Sequence, residues 1–193
     1  MAGDSAPALL TIGHSTRPLD ELIALLREHG VQRLVDVRTV PRSRRNPQFN
    51  KDALAADLPA AGIGYTHLSV LGGLRRPRLD SPNGAWQNAA FRGYADYMQT
   101  PEFDAALGEL QALAVRERVA IMCAEAVPWR CHRSLIADAL TARGVPVAHI
   151  IEHGAHGAPR SHRLTPWAQI DGGRVTYPSP PAACEGEMEH GIP

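Results

Sequence analysis

The sequence contains almost no lysine and no long hydrophobic run. Lys51 is the one lysine among 193 residues, against nineteen arginines. No apolar run approaches the roughly 18 residues that a membrane-spanning helix needs. Residues 1–7 also lack the basic start that is typical of a signal peptide. We therefore expect a cytoplasmic protein that has no membrane partner.

Cysteine is scarce as well, with thiols at Cys123, Cys131 and Cys184. An odd number without a secretory leader argues against a disulfide framework and leaves open free thiols, a metal site or inert buried side chains. The formal net charge is zero, so overall charge selects no partner. The excess of arginine over lysine suits phosphate or carboxylate binding, although it is also typical of proteins from high-GC genomes.

Short apolar segments alternate with segments of helical periodicity. Strands are predicted over residues 9–12, 31–37, 64–70, 119–123 and 145–151, and helices over 16–29, 51–61, 89–99, 100–116 and 131–143. This alternation predicts a single doubly wound α/β domain over residues 1–152, with a mainly parallel sheet of about five strands flanked by helices. Residues 153–193 are expected to form a partly disordered C-terminal extension, with a short strand at 174–177 and disorder from 178 onward.

Polar and reactive side chains concentrate just past the ends of the predicted strands. Open parallel sheets bind ligands outside the carboxyl ends of their strands, so these residues are expected to share one rim site. The set comprises Gly13, His14 and Ser15 after the first strand, Arg38, Arg42, Ser43, Arg44 and Arg45 after the second, His67 with Gly72 and Gly73 after the third, the segment 123–133 after the fourth, and Glu152 and His153 after the fifth.

The segment 123–133 ends in Cys131, His132 and Arg133 at a predicted helix N-terminus. Free backbone N–H groups and the positive end of the helix dipole favour an anion there and lower the pKa of a thiol. Cys131 is therefore the better candidate nucleophile, with a capping or packing role as the alternative. Cys123, at the end of a buried strand, is either a second reactive thiol or part of the core.

Two further residues are candidates for acid–base chemistry. Glu125 is either a general acid or base, or the counter-ion of a nearby arginine, and His14 is either functional or ties down the turn after the first strand. The candidate catalytic set is Cys131, Glu125, His14 and Cys123. The candidate anion- or substrate-binding set is Ser15, Arg38, Arg42, Arg44, His132 and Arg133.

Metal and nucleic-acid binding remain open from the residue types. Cysteine, histidine and glutamate in the segment 123–133, with His14, suit zinc or iron, but seven residues between the cysteines is not a zinc-ribbon spacing. The histidines from His149 to His162 are a weaker cluster. Basic loops at 39–47 and 74–92, with Trp86, Phe91 and Tyr94 for stacking, would suit nucleic acid. No dinucleotide or P-loop motif is present, so no particular cofactor is predicted.

Several blocks in a fixed order resemble the bacterial "domain of unknown function 488" family over about residues 9–152. They are TIGHS at 11–15, VDVR at 35–38 with Pro41 and Ser43-Arg44, YTHL at 65–68, LGG at 71–73, FRGYADYM at 91–98, MCAE at 122–125 and CHR at 131–133. The resemblance implies an α/β fold and one shared site, but no particular reaction.

A second, weaker likeness is to rhodanese and thiol phosphatase domains. These also place an Asp-x-Arg after one strand and a cysteine at the end of another, here Asp36, Arg38 and Cys123. The chain departs from them because Glu125 and Pro128 interrupt the loop after Cys123. A carboxylate repels an anion and proline supplies no N–H, so a simple phosphate cradle is disfavoured.

Together, the residues favour an enzyme that acts on a small anionic, phosphate-bearing substrate related to nucleotides or nucleic acid. The first alternative is a non-catalytic module that binds nucleic acid or a nucleotide. The second is a metal-dependent enzyme with Cys, His and Glu ligands. The oligomeric state is not predicted.

Overall fold

The computed structural model describes residues 9–151 and 157–180. Their regular elements are β1 Leu9–Gly13, α1 Leu19–Glu28, β2 Arg33–Asp36, α2 Lys51–Ala60, β3 Gly64–His67, α3 Ala89–Tyr97, α4 Pro101–Arg116, β4 Val119–Cys123, α5 Arg133–Ala142, β5 Val147–Ile150, β6 Arg160–Ser161, β7 Gln169–Asp171 and β8 Arg174–Thr176. Short 3-10 turns cover Pro47–Phe49, Ser69–Leu71 and Pro128–Arg130. No helix of the described part is long and apolar enough to cross a membrane.

One sheet of six strands in the order β3-β2-β4-β1-β5-β6 carries the fold. The first five strands are parallel, and the two-residue β6 pairs antiparallel with β5. The prediction of a mainly parallel α/β sheet is confirmed, with one short strand added. The register pairs Gly13 with Cys123, and Asp36 with both Met122 and His67. The carboxyl ends of four strands therefore meet at one edge within about a residue.

Helices cover both faces of the sheet, as the doubly wound prediction requires. Apolar side chains of α1 and α2 pack with Leu10 and Ile12 on one face, whereas those of α3, α4 and α5 pack with Leu9 and Ile121 on the other. Successive strand residues point to opposite faces, so the short apolar strands serve both layers. The chain leaves β1 and β2 toward one face and β4 toward the other, which opens a crevice at the carboxyl edge.

Helix boundaries follow local signals in some places and tertiary contacts in others. Thr100 caps α4 by accepting a hydrogen bond from the backbone N–H of Phe103 at 3.3 Å. α1 begins later than its predicted cap at Thr16, with Pro18 preceding the first helical residue. Asn50 precedes α2 as predicted, but its side chain accepts from the backbone N–H of Ser43 at 2.6 Å instead of capping the helix.

The long loop predicted between β3 and α3 is held by one buried carboxylate. Asp96, 3% exposed on α3, accepts hydrogen bonds from the backbone N–H of Arg78 at 2.8 Å, the hydroxyl of Ser81 at 2.6 Å and the amide of Asn83 at 2.8 Å. This places residues 78–83 against α3 although they form no helix or strand.

Residues 157–180 pack on the sheet domain. β6 extends the main sheet, β7 and β8 form a hairpin, and Val175 and Tyr177 are buried in the core. The short strand expected at 174–177 corresponds to β8. The sheet thus continues past the boundary expected at residue 152. Residues 181–193, where disorder was expected, lie outside the described residues.

Candidate functional site

A cleft of about 630 Å³, which we call the thiol cleft, opens at the carboxyl edge of the sheet beyond β4. Its lining includes Cys123, Cys131 and His132, with arginines and one carboxylate around them, namely Arg75, Arg76, Arg130 and Glu125. Cys131 directly precedes the N-cap residue of α5, as the sequence predicts. Of the residues predicted to share a rim site, the structure brings together Gly73, Glu125, Arg130, His132 and these two cysteines. Glu152 and His153, also predicted at the rim, lie outside the described residues.

The imidazole of His132 lies against both thiols. Its Nδ1 is 3.7 Å from Sγ of Cys131 and 4.0 Å from Sγ of Cys123, and its Nε2 is 3.2 Å from the carbonyl oxygen of Val37. A carbonyl can only accept, so Nε2 carries a hydrogen and donates it. In the neutral ring, the lone pair of Nδ1 then faces the thiols. Both cysteines are free and buried.

Two neighbours confine the ring of His132. A Cβ atom built on Gly73 would lie 2.9 Å from Nδ1 of His132, so only glycine fits there without displacing the ring. The ring of Tyr94 lies on another side, with centroids 5.0 Å apart, and its hydroxyl donates to the carbonyl of Leu71 at 2.8 Å. Gly73 and Tyr94 therefore fix the imidazole beside the sulfur atoms.

The pKa values of the two thiols are shifted in opposite directions. A hydrogen bond from Cys123, together with His132 and the charge of Arg133, holds the pKa of Cys131 well below its usual range, against the opposing effect of burial. The pKa of the Cys123 thiol is raised, because Cys123 forms this hydrogen bond to Cys131 and is itself buried. The pair thus favours a thiolate at Cys131 that accepts a hydrogen bond from the protonated Cys123.

Arg133 lies behind the thiols and does not line the cleft. Its side chain is 1% exposed, and its guanidinium donates to Oγ1 of Thr11 at 3.3 Å and to the carbonyl oxygen of Glu125. Within the described residues its Nε has no hydrogen-bond partner and no carboxylate lies within ion-pair distance. A buried positive charge of this kind favours the thiolate form of Cys131. This placement suits an electrostatic role better than direct contact with a ligand.

His14 and Arg38 belong to a separate buried network. Arg38 donates from Nε to Oδ1 of Asp36 at 2.8 Å and from Nη2 to Oδ2 at 2.6 Å, and Nη2 also donates to the carbonyl of Phe49 at 2.7 Å. Its Nη1 lies 3.1 Å from Nε2 of His14, whose Nδ1 donates to the carbonyl of Ser15 at 2.8 Å. Burial lowers the pKa of His14 to about 4, so its ring is neutral near pH 7.

This network joins the ends of β1 and β2 and does not line the thiol cleft. With Nε, Nη1 and Nη2 all engaged and only 7% of its surface exposed, the guanidinium of Arg38 is occupied internally. Ser15 has a positive φ of 50° in the same turn and donates its backbone N–H to Ala124 at 2.9 Å. The roles predicted for these residues in catalysis or anion binding stay predictions.

The remaining predicted arginines lie elsewhere on the rim. Arg42 and Arg44 line a shallow cleft of about 640 Å³ beside Val40 and Asn50, separate from the thiol cleft. Both side chains are exposed, as is that of Arg45. Binding of nucleic acid by this surface stays a prediction.

Residue patterns alone missed a second buried network around α5. Asp138 bonds to Nε2 of His162 at 2.8 Å, and Nδ1 of His162 lies 2.9 Å from Nε2 of His149. Nδ1 of His149 in turn lies 2.8 Å from the hydroxyl of Thr11, which is the hydroxyl that Arg133 contacts. Two features of the sequence could have indicated this network: Asp138 lies on the apolar face of α5, and His149 lies within the apolar strand β5.

The chain is thus an α/β domain with a dithiol–imidazole cluster at the carboxyl edge of its sheet. A family model described as "Domain of unknown function DUF488" matches residues 18–140. The chain therefore belongs to this family, and the resemblance noted from its motifs is confirmed. Neither a search of curated proteins nor a search of solved structures found a match, and the rhodanese likeness finds no support in these comparisons.

Proposed function

We propose that this protein is an enzyme that uses Cys131 as a nucleophile on an anionic, phosphate-bearing substrate related to nucleotides or nucleic acid. The observation that carries the proposal is the contact of 3.7 Å between Sγ of Cys131 and Nδ1 of His132. The opposite nitrogen of that ring is committed to the carbonyl of Val37, so Nδ1 is oriented to accept the thiol proton.

The chemistry follows from this orientation. Nδ1 of His132 takes the proton of Cys131, and the thiolate attacks an electrophilic atom of the substrate. The bond to the leaving group breaks as the new bond to sulfur forms, and the imidazolium returns its proton to the leaving group. A water molecule then cleaves the covalent intermediate and regenerates the thiol. Cys123 stabilises the attacking thiolate by donating its own S–H.

Arginines at the mouth of the thiol cleft supply the anion-binding part. Arg76 and Arg130 are exposed, and neither pairs with a carboxylate in the described ranges. Arg75 is held by the carbonyls of Gly72 and Val70 and lies over the ring of Tyr97, with Cζ 3.6 Å from the centroid. Arg76 and Arg130 can therefore move to bind a phosphate group, whereas Arg75 stays in place and contributes a constant positive electrostatic potential.

The test compares alkylation by neutral iodoacetamide with alkylation by anionic iodoacetate in a Cys184→Ser background. We expect Cys131 to react with iodoacetamide at lower pH than an ordinary thiol. Cys123→Ala, which removes the S–H donor, and H132Q should each move this reaction to higher pH. An ordinary pH profile that H132Q leaves unchanged would contradict a Cys–His nucleophile.

The ratio of the two rates tests the anion-binding part. We expect Cys131 to favour iodoacetate, and the double substitution R76A with R130A to reduce that preference. The matched control is Arg116→Ala, which removes an exposed arginine at the end of α4. If the double variant and the control behave alike, the two arginines do not bind the anion.

A metal centre is the second candidate, because the sulfur atoms of Cys123 and Cys131 and Nδ1 of His132 all lie within 4.8 Å of one another. Zinc bonds of about 2.3 Å to sulfur and 2.0–2.1 Å to nitrogen separate two tetrahedral ligands by roughly 3.5–3.8 Å. The S–N distances of 3.7 and 4.0 Å are close to this value. Three protein ligands beside an open cleft are typical of a catalytic zinc site.

Metal analysis of the protein purified without a histidine tag distinguishes the candidates. One equivalent of metal, lost in C123S and accompanied by protection of both thiols from alkylation, favours the metal centre. Absence of metal after incubation with zinc, together with an alkylatable Cys131, favours the nucleophile.

A further inference from the structure

A second cleft of about 430 Å³, which we call the tryptophan cleft, lies between the 3-10 turn Pro128–Arg130 and residues 160–167. Trp86, Trp129 and Trp167 line it, and they are all the tryptophans of the chain. The rings of Trp86 and Trp167 meet edge to face with centroids 5.3 Å apart, whereas Trp129 is 57% exposed. Aromatic side chains of this kind offer flat faces for a ligand ring.

The tryptophan cleft is distinct from the thiol cleft, although the two lie on either side of a single turn of the chain. Trp129 lines the tryptophan cleft, whereas the next residue, Arg130, lines the thiol cleft. Cys123, Cys131 and His132 do not belong to the lining of the tryptophan cleft. A ligand there would neither need nor contact the dithiol.

The described residues around the tryptophan cleft carry charge of one sign only. Arg160 and Arg163 are exposed at its wall, and neither forms an ion pair with any residue in the described parts of the chain. Among the residues that the structure describes, no aspartate or glutamate lines the cleft. Arginine binds phosphate through paired N–H groups, so the wall suits an anion.

The histidines of the tryptophan cleft form a rigid part of its lining. Both ring nitrogens of His149 have partners, in Thr11 and His162, and both of His162 have partners, in His149 and Asp138. Burial lowers the pKa of His149 to about 3, so this ring is neutral near pH 7. With no ring nitrogen free, the histidines shape the cleft and do not react with its occupant.

We propose that the tryptophan cleft binds a small planar aromatic anion of the nucleoside monophosphate class. The base would stack on tryptophan, and Arg160 and Arg163 would bind the phosphate. A volume of about 430 Å³ lies within the range of roughly 300–1,000 Å³ that is usual for sites of small ligands. This site is independent of the reaction proposed at Cys131.

The three tryptophans provide the measurement, because all the indole fluorescence of the protein arises at this cleft. The full chain is titrated with each of the four ribonucleoside 5′-monophosphates, with excitation at the red edge of the indole band and calorimetry in parallel. We expect saturable quenching and weaker binding of both adenosine and ribose 5-phosphate than of the nucleotide.

Variants separate the two parts of the site. W129A, which changes a largely exposed side chain, should weaken binding by about tenfold or more through loss of stacking. R160A with R163A should weaken it similarly and remove the preference for the nucleotide over the nucleoside. R116A, far from the cleft at the end of α4, is the control and should leave binding unchanged.

The proposal is overturned by absence of binding of all four nucleotides up to millimolar concentration. It is equally overturned if ribose 5-phosphate binds as tightly as the nucleotides, or if W129A and the arginine pair leave binding intact. None of these results would alter the alkylation of Cys131, so failure of this site is distinguishable from failure of the proposed reaction.

Discussion

Asp138 is the residue on which the packing of the C-terminal segment depends most directly. Its carboxylate is fully buried on α5 and accepts four hydrogen bonds from three residues of that segment. These come from Nε2 of His162 at 2.8 Å, the backbone N–H and hydroxyl of Thr165 at 3.1 and 2.7 Å, and the hydroxyl of Tyr177 at 2.7 Å. Replacing the carboxylate should therefore release residues 160–177 from the domain.

The magnitude follows from the donors left behind by Asp138→Leu, which keeps the number and branching of the side-chain heavy atoms and removes every acceptor. Each buried donor without a partner costs about 1–3 kcal/mol, and the backbone N–H of Thr165 cannot turn to another acceptor. Relief from burying a carboxylate offsets part of this cost. We expect a loss of about 3–5 kcal/mol in the free energy of unfolding, a large part of the roughly 5–15 kcal/mol usual for a domain.

Urea unfolding followed by circular dichroism measures this loss. Y177F removes one of the four bonds and should cost about 1 kcal/mol. D104N is the matched control, since Asp104 is an exposed carboxylate whose ion pair with Arg143 should contribute at most about 1 kcal/mol. We also expect D138L to speed tryptic cleavage at Arg160 and Arg163. A loss of stability in D138L no larger than that in D104N would contradict this role of Asp138.

Two further predictions concern buried histidines and the position of the imidazole. Burial lowers the pKa of His14 to about 4 and that of His149 to about 3. The contribution of the two neutral rings to the free energy of unfolding is therefore complete above pH 6.5, the ordinary histidine pKa, and is lost progressively as the pH falls below 6.5. The free energy of unfolding should fall by up to about 1.4 kcal/mol per pH unit for each ring. In urea unfolding at pH 7, 6 and 5.5, H149Q should show a shallower dependence on pH than the unsubstituted protein. Equal slopes for the two proteins would contradict this. G73A should push the ring of His132 away from the thiols and move their alkylation to higher pH, whereas G108A, whose added Cβ would meet no atom within 4 Å, should leave it unchanged. Identical profiles for these two variants would show that the close approach of Gly73 does not hold the imidazole.

The sequence by itself determined the regular elements of the first 150 residues and the neighbourhood of the thiols. Both depend on local information, since hydrophobic periodicity specifies a strand or a helix within a few residues. Cys123 ends a buried strand and Cys131 precedes a helix a few residues later, so their proximity follows from one short connection. The rule for the carboxyl edge of parallel sheets then located the cleft.

Tertiary structure decided which charged side chains remain available to a ligand. Arg38 resembled an anion-binding residue in the sequence, yet it pairs with Asp36 and contacts His14 from a strand two positions away in the sheet. The association of Asp138 with His162 and Tyr177 likewise joins segments 24 and 39 residues apart. The contacts of Arg38 with His14 and of Asp138 with His162 and Tyr177 depend on strand order, register and the return path of the chain, which no local pattern specifies. The tryptophan cleft has the same origin, because its three indoles come from three separate segments that meet only in the folded protein.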